Sequence, residues 1–258
     1  MVHQLLKADD PAPFVSLRPN GPSQFVFVSE HAGNDIPSDL GSLGLSSADI
    51  NDHIGLDLHI CQVGKILSEA FDAPYIYQPY SRLVIDCNRP PASPQSILSI
   101  ADKRDVPGNL NLSDKELAER RFEIFEPFHK HITEILDHRS SKNMPTVFVT
   151  LHSFTPAMQK ENGDRPWHVT LQYSRDDRFS KAMITALGSQ TTSTIGDNVP
   201  YPVNDDTHYG IPVHGEKRGL HHTMIEIRQD VITNATDQKI WAKILKTALI
   251  SAAKQLDT

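Results

Sequence analysis

Short apolar runs alternate along the chain with longer amphipathic stretches. The short runs are rich in β-branched and aromatic residues and predict strands at 25–28, 75–78, 83–85, 146–151, 167–172 and 223–227. The longer stretches carry apolar residues at helical spacing and predict helices at 46–70, 113–139, 176–187 and 237–253. Ser113, followed three residues later by Glu116, is a capping-box signature for the start of the helix 113–139. Pro127 predicts a bend within that helix.

This alternation predicts an α/β fold. We expect a single three-layer domain spanning 1–258, in which helices cover both faces of a central mixed, mostly parallel sheet. The length of 258 residues suits one such domain. In folds of this class, ligands bind at the carboxyl ends of the strands. Polar residues that follow the predicted strands are therefore the candidates for function.

Charge and composition narrow the functional classes. Acidic residues outnumber basic ones by 32 to 25, which argues against a nucleic-acid binder. No stretch approaches the roughly 20 apolar residues that span a bilayer, and the first residues do not resemble a secretory signal. The two isolated cysteines, Cys61 and Cys87, indicate neither a disulfide framework nor a four-cysteine zinc site. We therefore expect a cytoplasmic protein that binds neither nucleic acid nor membranes.

Two of the 13 histidines follow predicted strands. His31 comes after the strand at 25–28, and His152 after the strand at 146–151. Imidazole is a common zinc ligand, and catalytic zinc sites use about three protein ligands and a water molecule. The pair therefore indicates a metal site, whereas each histidine taken alone is equally compatible with a structural role.

The third metal ligand is less clear from the residues. Asp57 falls on the apolar stripe of the predicted helix 46–70, where a carboxylate is costly unless it is paired or bound to a cation. This makes Asp57 a candidate ligand; the alternative is that it pairs with His53, four residues earlier. Glu30 and Asn34 are weaker candidates.

The segment 81–91 has the highest density of polar residues beside a strand. Arg82 and Arg89 flank the predicted strand 83–85, and a guanidinium matches a carboxylate with two parallel hydrogen bonds. In an acidic protein this arrangement predicts a clamp for a substrate carboxylate. The alternative is that one of the two arginines pairs with Asp86.

The last predicted strand carries a carboxylate. Glu226 lies opposite Ile225 and Ile227, on the face it shares with Met224 and Arg228. It is a candidate general base that activates water. A salt bridge with Arg228 is the alternative.

The segment 207–222 is polar and glycine-rich, but it lacks the spacing of a phosphate-binding loop. Its length is typical of an active-site lid, which predicts that His214 and Arg218 contribute to catalysis when it closes. The alternative is that both are solvated loop residues. The loops at 161–165 and 203–220 are expected to set the size of the pocket and hence the acyl preference.

Four segments, taken together, resemble the N-formylglutamate amidohydrolase family: 29–34 (SEHAGN), 81–90 (SRLVIDCNRP), 151–154 (LHSF) and 225–230 (IEIRQD). The resemblance runs in order through most of the chain. It implies a phosphorylase/hydrolase-like fold related to that of the zinc carboxypeptidases and the aspartoacylase group. It also implies one zinc ion at the carboxyl edge of the sheet.

The resemblance also implies roles for individual residues. His31 and His152 become zinc ligands, and Glu226 becomes the general base and acid. The expected substrate-binding residues belong to the arginine segment or are polar neighbours of the histidines: Arg82, Asn88, Arg89, Asn34 and Ser153. The carboxypeptidase-like relatives have a zinc-binding glutamate three residues after the first histidine, where this chain has Asn34. We therefore take Asp57 as the carboxylate ligand.

The predicted reaction is zinc-dependent hydrolysis of a small anionic N-acyl amino acid. The resemblance implies N-formyl-L-glutamate as substrate, formate and L-glutamate as products, and a place in histidine degradation. An arginine, Arg218 or Arg82, is expected to stabilise the oxyanion. Two alternatives stay open: a related deacylase or carboxypeptidase with another acyl or peptide substrate, and a non-catalytic carboxylate-binding protein that has lost the metal. The sequence predicts no oligomeric state.

Overall fold

The computed structural model describes residues 4–159 and 164–256, and a mixed sheet lies at its centre. In chain order the strands are β1 (Val15–Leu17), β2 (Phe25–Ser29), β3 (Tyr75–Tyr77), β4 (Ile100–Ala101), β5 (Arg104–Asp105), β6 (Val147–Phe154), β7 (Val169–Gln172), β8 (Ile195–Asp197) and β9 (His221–Arg228). Strands β4 and β5 form a separate hairpin.

The other seven strands form one sheet in the order β1-β3-β2-β6-β9-β7-β8. Strands β3, β2, β6 and β9 are parallel to their neighbours within this group. Strand β1 is antiparallel to β3, β7 is antiparallel to β9, and β8 is parallel to β7. The predicted mixed, mostly parallel sheet is confirmed, and the four central parallel strands present their carboxyl ends at one edge.

The helices are α1 (Ser47–Ile50), α2 (Ile60–Phe71), α3 (Asp114–Arg120), α4 (Glu126–Ser141), α5 (Arg178–Gly188) and α6 (Ala235–Leu256). The predicted capping box is confirmed at α3, because Ser113 Oγ accepts from the Glu116 N–H and Glu116 Oε2 accepts from the Ser113 N–H. A π-helical turn at Arg121–Phe125 joins α3 to α4.

Each face of the sheet has its own hydrophobic core, which gives the predicted three layers. Helices α2, α5 and α6 cover one face through side chains such as Val63, Met183 and Leu245. Helix α4 and the segment 83–87 cover the other, where Phe128 and Ile132 are fully buried. Each large apolar side chain buried in this way contributes about 1.5–3 kcal/mol. The two cores hold the sheet rigid beneath its carboxyl edge.

The predicted helix 46–70 is instead two helices separated by a loop at 51–59. Gly55 lets the chain turn there, because a Cβ at this position would collide with the Ile50 carbonyl. The Ser81 hydroxyl donates to the Gly55 carbonyl at 2.7 Å, and His53 Nε2 lies 2.9 Å from Asp102 Oδ2. These tertiary contacts outweigh the local helical pattern.

The predicted strand 83–85 is absent. Turns occupy this segment, with the Val84 N–H donating to the Ser81 carbonyl and the Arg89 N–H to the Asp86 carbonyl. An apolar run that is buried on all sides does not have to be extended. The turns, rather than a strand, place the two arginines of the segment.

The segment 207–222 is packed onto the domain instead of standing off it as a lid. It contains a π-helical turn, Ile211–Gly215, and a 3-10 turn, Glu216–Arg218, and Ile211 is fully buried. Of the other predicted specificity loop, 161–163 lie outside the described residues. Cys61 and Cys87 are free thiols. Within the described ranges, no helix is both long and apolar enough to cross a membrane.

Candidate active site

Three of the predicted residues meet where the parallel strands end. His31 follows β2, His152 lies near the end of β6, and Glu226 lies opposite His152 on the adjoining β9. All three line one cavity of about 860 Å³ at the carboxyl edge of the sheet. The strand-end position predicted for the site is therefore where the structure brings these side chains together.

Asp57 joins the two histidines in a buried group. Its Oδ2 lies 2.8 Å from His152 Nδ1 and 3.4 Å from His31 Nδ1, and the two imidazole rings are 5.0 Å apart. One candidate ligand atom from each residue falls within 4.8 Å of the other two. Two imidazole nitrogens and one carboxylate oxygen form a donor set that zinc uses in hydrolytic enzymes.

Asp57 lies in the loop before α2, so it is positioned by that loop and not by an apolar stripe of a helix. The Asp57 N–H donates to the His31 carbonyl at 2.9 Å, and the Ser153 N–H donates to Asp57 Oδ2 at 3.3 Å. The predicted residue thus reaches the group, but the reason given for it is wrong. The alternative pairing with His53 is also wrong, because His53 contacts Asp52 and Asp102.

A second carboxylate lies behind each histidine ring. Asp86 Oδ1 is 2.7 Å from His31 Nε2, and Glu30 Oε2 is 3.1 Å from His152 Nε2. Asp86 accepts the hydrogen bond from Nε2 of His31, which leaves Nδ1 as the ring nitrogen that could bind a metal. That Nδ1 is buried and has no hydrogen-bond partner among the described residues. Histidine ligands of metals commonly have this arrangement, with a carboxylate fixing the tautomer.

The charges around the histidines fit a divalent cation. Glu30, Asp57 and Asp86 contact the two rings, and Arg82 is the one guanidinium paired with these carboxylates within the described part of the chain. When both histidine rings are neutral, as metal binding requires, the three carboxylates and one guanidinium leave two negative charges in a buried space. Uncompensated buried charge is costly, and one divalent ion would balance it.

The same charges control protonation. Burial by itself lowers the pKa of His152, but hydrogen bonding to Asp57 and the nearby Glu30 carboxylate raise it to about 10. Burial alone would raise the pKa of Asp57, but His31 and His152 hold it below its ordinary range. The group therefore attracts a cation strongly, and a metal ion bound there would displace a proton.

Glu226 is placed to accept a proton beside this group. Burial raises the pKa of its carboxyl above the ordinary value, while nearby His152 opposes that rise. The alternative salt bridge with Arg228 is wrong, because Arg228 Nε pairs with Asp230 Oδ1 at 2.7 Å. A carboxylate with a raised pKa suits proton transfer near neutral pH.

The two arginines of the segment 81–91 differ in their partners. Arg82 donates to Asp86 Oδ2 at 2.7 Å and approaches Asp57 Oδ1 at 3.4 Å. Arg82 is therefore the arginine that forms the ion pair with Asp86 given above as the alternative. Arg89 donates to the Asn88 carbonyl at 3.2 Å and has no carboxylate partner among the described residues. Burial lowers its pKa, although a guanidinium stays charged at neutral pH. Arg89 therefore faces the cavity as a cation available to an anion.

Comparison with known proteins identifies the family of this chain. The family model of the N-formylglutamate amidohydrolases matches residues 23–233. The chain belongs to the N-formylglutamate amidohydrolase family. This is a family of hydrolases that act on amide bonds, and the resemblance noted in the sequence is confirmed.

Solved structures are similar to this N-formylglutamate amidohydrolase family member over nearly its whole length. A gene product from Agrobacterium tumefaciens has 31% sequence identity and a TM-score of 0.94, with 99% of this chain and 100% of that chain covered. An N-formylglutamate amidohydrolase from Ralstonia eutropha has 17% identity and a TM-score of 0.68, with 95% and 98% covered, and supports the fold. No curated protein matches this sequence.

Asn88 and Ser153 line the cavity of this N-formylglutamate amidohydrolase family member and also hold its walls together. Asn88 Oδ1 accepts from the N–H groups of Tyr209 and Gly210 at 3.1 Å each. Ser153 Oγ donates to the Leu58 carbonyl at 2.7 Å. Their placement agrees with the predicted substrate side of the site, and their hydrogen bonds fix the loops around it.

Three other predicted residues are not among those that line the cavity. Asn34 donates to Asn51 Oδ1 at 2.7 Å, and Arg218 pairs with Asp137 at 2.6 Å on the surface. His214 is buried behind the site, where its Nε2 lies 2.9 Å from His129 Nδ1. Because His214 and Arg218 contact α4 instead of the cavity, their predicted contribution to catalysis is corrected. The predicted substrate contact of Asn34 is corrected as well.

Two of the polar residues in the cavity wall that the sequence does not single out are a histidine and an arginine. His208 and Arg165 both line the cavity and are buried. His208 belongs to the polar segment 207–222, in which the sequence predicts a role for His214 instead. Arg165 is the last residue of the predicted specificity loop 161–165, but no strand-end pattern marks it as a site residue.

Proposed function

We propose that this N-formylglutamate amidohydrolase family member hydrolyses N-formyl-L-glutamate to formate and L-glutamate, with one zinc ion held by His31, Asp57 and His152. The observation that carries the proposal is that this group of three possible ligands shares a cavity with the proton acceptor Glu226. Family membership supports the amide bond as the target. A cytoplasmic location and a place in histidine degradation are part of the same proposal.

The residues present fit the metal. The Nδ1 atoms of His31 and His152 and the Oδ2 atom of Asp57 face one another, and once His152 has lost its proton to bind the metal the surrounding carboxylates leave two negative charges to balance. When bound, zinc supplies Lewis-acid polarisation of the scissile carbonyl and makes water more acidic. Asp86 and Glu30 then act through the histidines by holding the rings in place.

Glu226 moves the proton. In the proposed reaction its carboxylate takes a proton from the attacking water and returns it to the amine nitrogen as the C–N bond breaks. The formyl group leaves as formate, and glutamate keeps the amine. A positioned general base and acid of this kind contributes typically 10²–10⁴-fold to the rate.

Arg89 holds the substrate's α-carboxylate. Arg89 is a partly buried arginine of the cavity wall with no carboxylate partner among the described residues, whereas Arg82 is paired with Asp86 and Asp57. Arg165 also lines the cavity, and we assign it the side-chain carboxylate of the substrate. Two separated cations would select a dianion in spite of the net charge of -7.

The test is an assay of purified protein combined with metal analysis. We expect about one zinc per chain, formate release from N-formyl-L-glutamate, loss of activity on chelation and recovery with added zinc. Zinc-loaded protein that leaves N-formyl-L-glutamate intact but cleaves N-acetyl or N-succinyl glutamate or a short peptide would identify the related deacylase or carboxypeptidase. Protein that takes up no metal after supplementation would identify the carboxylate-binding alternative.

A further inference from the structure

The cavity wall contains a histidine that the proposed reaction does not yet use. His208 is 8% exposed and lines the cavity together with Arg89. Its ring is held from one side, since the Asn204 N–H donates to Nδ1 at 3.4 Å and Thr207 Oγ1 lies 3.0 Å from the same atom. Asn204 Oδ1 also accepts from the N–H groups of Asp206 and Thr207 at 3.0 Å each, which closes the turn.

These contacts determine which ring nitrogen carries the proton. A backbone N–H can only donate, so Nδ1 of His208 is an acceptor and the neutral ring has its hydrogen on Nε2. Among the described residues, no hydrogen bond engages that Nε2. Burial, together with the nearby Arg89 cation, lowers the pKa of His208 to about 3. The ring is thus a neutral donor at pH 7.

The position beside Arg89 suits one ligand chemistry. A carboxylate offers about four lone-pair positions on two oxygens, and one guanidinium does not occupy them all. A neutral N–H donor can take a remaining position without the repulsion that a second cation beside Arg89 would cause. His208 and Arg89 both line the cavity, and together they offer donors that a single carboxylate accepts.

We propose that His208 is a specificity-determining residue whose Nε2–H binds the same substrate α-carboxylate as Arg89. This inference rests on the proposed function, because it takes an N-formyl amino acid as the ligand. It assigns His208 to substrate binding and not to the oxyanion of the reaction. Replacing the ring should therefore weaken binding of any ligand that carries the α-carboxylate.

Calorimetric binding to zinc-loaded protein tests the assignment, in a Glu226→Gln background that prevents turnover. The probes are N-formyl-L-glutamate, N-formyl-L-norvaline, which lacks the side-chain carboxylate, and N-formyl-4-aminobutyrate, which lacks the α-carboxylate. We expect His208→Phe to weaken the first two by about tenfold, the loss typical of a hydrogen bond to a charged group, and the third by less than about threefold. His208→Gln should restore part of the lost affinity.

The matched control is His53→Phe. His53 lines the same cavity, but its Nε2 is engaged by Asp102 at 2.9 Å, so this variant should change the three affinities equally or not at all. With Glu226 intact, His208→Phe should raise KM and leave kcat within about threefold. Equal weakening of all three ligands, unchanged binding, or a fall in kcat at constant KM would each overturn the assignment.

Failure of the proposed function gives a different result. Protein that binds N-formyl-L-glutamate and releases no formate contradicts the hydrolysis, while the three affinities still decide the role of His208. Zinc-loaded protein that binds none of the three probes contradicts both proposals.

Discussion

Asp86 Oδ1 accepts a hydrogen bond of 2.7 Å from His31 Nε2, and both side chains are buried. The same carboxylate pairs with Arg82 through its Oδ2 and accepts from the Asn88 N–H. One side chain therefore connects a candidate metal ligand to the segment that supplies the arginines. This relationship makes Asp86 a positioning residue for the whole site.

Asp86→Asn should weaken zinc binding by about 10–100-fold, the usual cost of losing a carboxylate behind a histidine ligand. The amide cannot accept through both of its polar atoms, so either His31 or Arg82 loses its partner. Competition against a chelator measures the affinity. Asp105→Asn is the control, because Asp105 is exposed on β5 and should leave it unchanged. Zinc affinity within threefold of the wild type in Asp86→Asn would refute the positioning role.

Glu226→Gln should lower kcat by about 100-fold or more and leave zinc bound. The amide keeps the size of the side chain but cannot take a proton from water. Formate release and metal content, measured on the same preparation, separate catalysis from metal binding. Wild-type turnover in this variant would show that another group moves the proton, whereas loss of zinc would indicate that Glu226 helps to hold the metal.

Arg89→Gln should raise KM by about 30-fold or more, because removing one partner of a buried charged contact costs roughly 2 kcal/mol or more. Arg218→Gln is the matched control. Arg218 pairs with Asp137 on the surface, so its loss should not change KM or kcat. An unchanged KM in Arg89→Gln would mean that another cation binds the α-carboxylate. A large loss in Arg218→Gln would restore the predicted lid contribution.

Local patterns account for the parts of the site that follow strands. His31, His152 and Glu226 could be found from the sequence because an apolar run that ends in a polar group marks the end of a buried strand, and parallel strands share that edge. The sheet itself follows from the same alternation of apolar and polar residues. These features need no knowledge of distant contacts.

The rest of the site depends on contacts between distant segments. The helical stripe that predicts Asp57 is absent, and the position of Asp57 follows instead from hydrogen bonds with residues 31 and 153. His208 stands at the cavity because Asn88 holds the neighbouring Tyr209 and Gly210. Hydrogen bonds across more than 90 residues leave no periodic trace in the sequence.

Gly33→Ala should destabilise the fold, because a Cβ at Gly33 would collide with the backbone carbonyl of Pro79. Backbone cannot move aside as a side chain can, so we expect a loss of about 1–3 kcal/mol in the free energy of unfolding. Gly188→Ala is the control, since a Cβ there meets no atom within 4 Å at the end of α5. That change should be neutral or stabilising by up to about 1 kcal/mol. Urea denaturation measures both, and equal stability of the two variants would contradict the close-packing argument.

The buried pair His129 and His214 should make the protein sensitive to acid. His129 Nε2 must donate to the Cys87 carbonyl at 2.8 Å, so its Nδ1 accepts from His214 Nε2 at 2.9 Å, and both rings are neutral. Burial lowers the pKa of His129 to about 4 and holds the pKa of His214 well below its ordinary value. A proton on either ring would put a charge in the core.

The sign of the effect follows from proton binding. Unfolded histidines take up protons as the pH falls through about 6.5. The folded pair stays neutral down to about pH 4, so the unfolded state binds more protons and the free energy of unfolding falls in this window. Each histidine contributes a slope of up to about 1.4 kcal/mol per pH unit. The stabilisation is complete above pH 6.5.

The double variant His129→Leu, His214→Leu removes both groups. It should be less stable than the wild type at pH 7, because the Cys87 carbonyl loses its donor, yet its stability should fall less steeply between pH 6.5 and pH 5. Urea midpoints across this range give the slope. His138→Gln, at an exposed position on α4, is the control and should keep the wild-type slope. A double variant with the wild-type slope would mean that other groups cause the acid sensitivity.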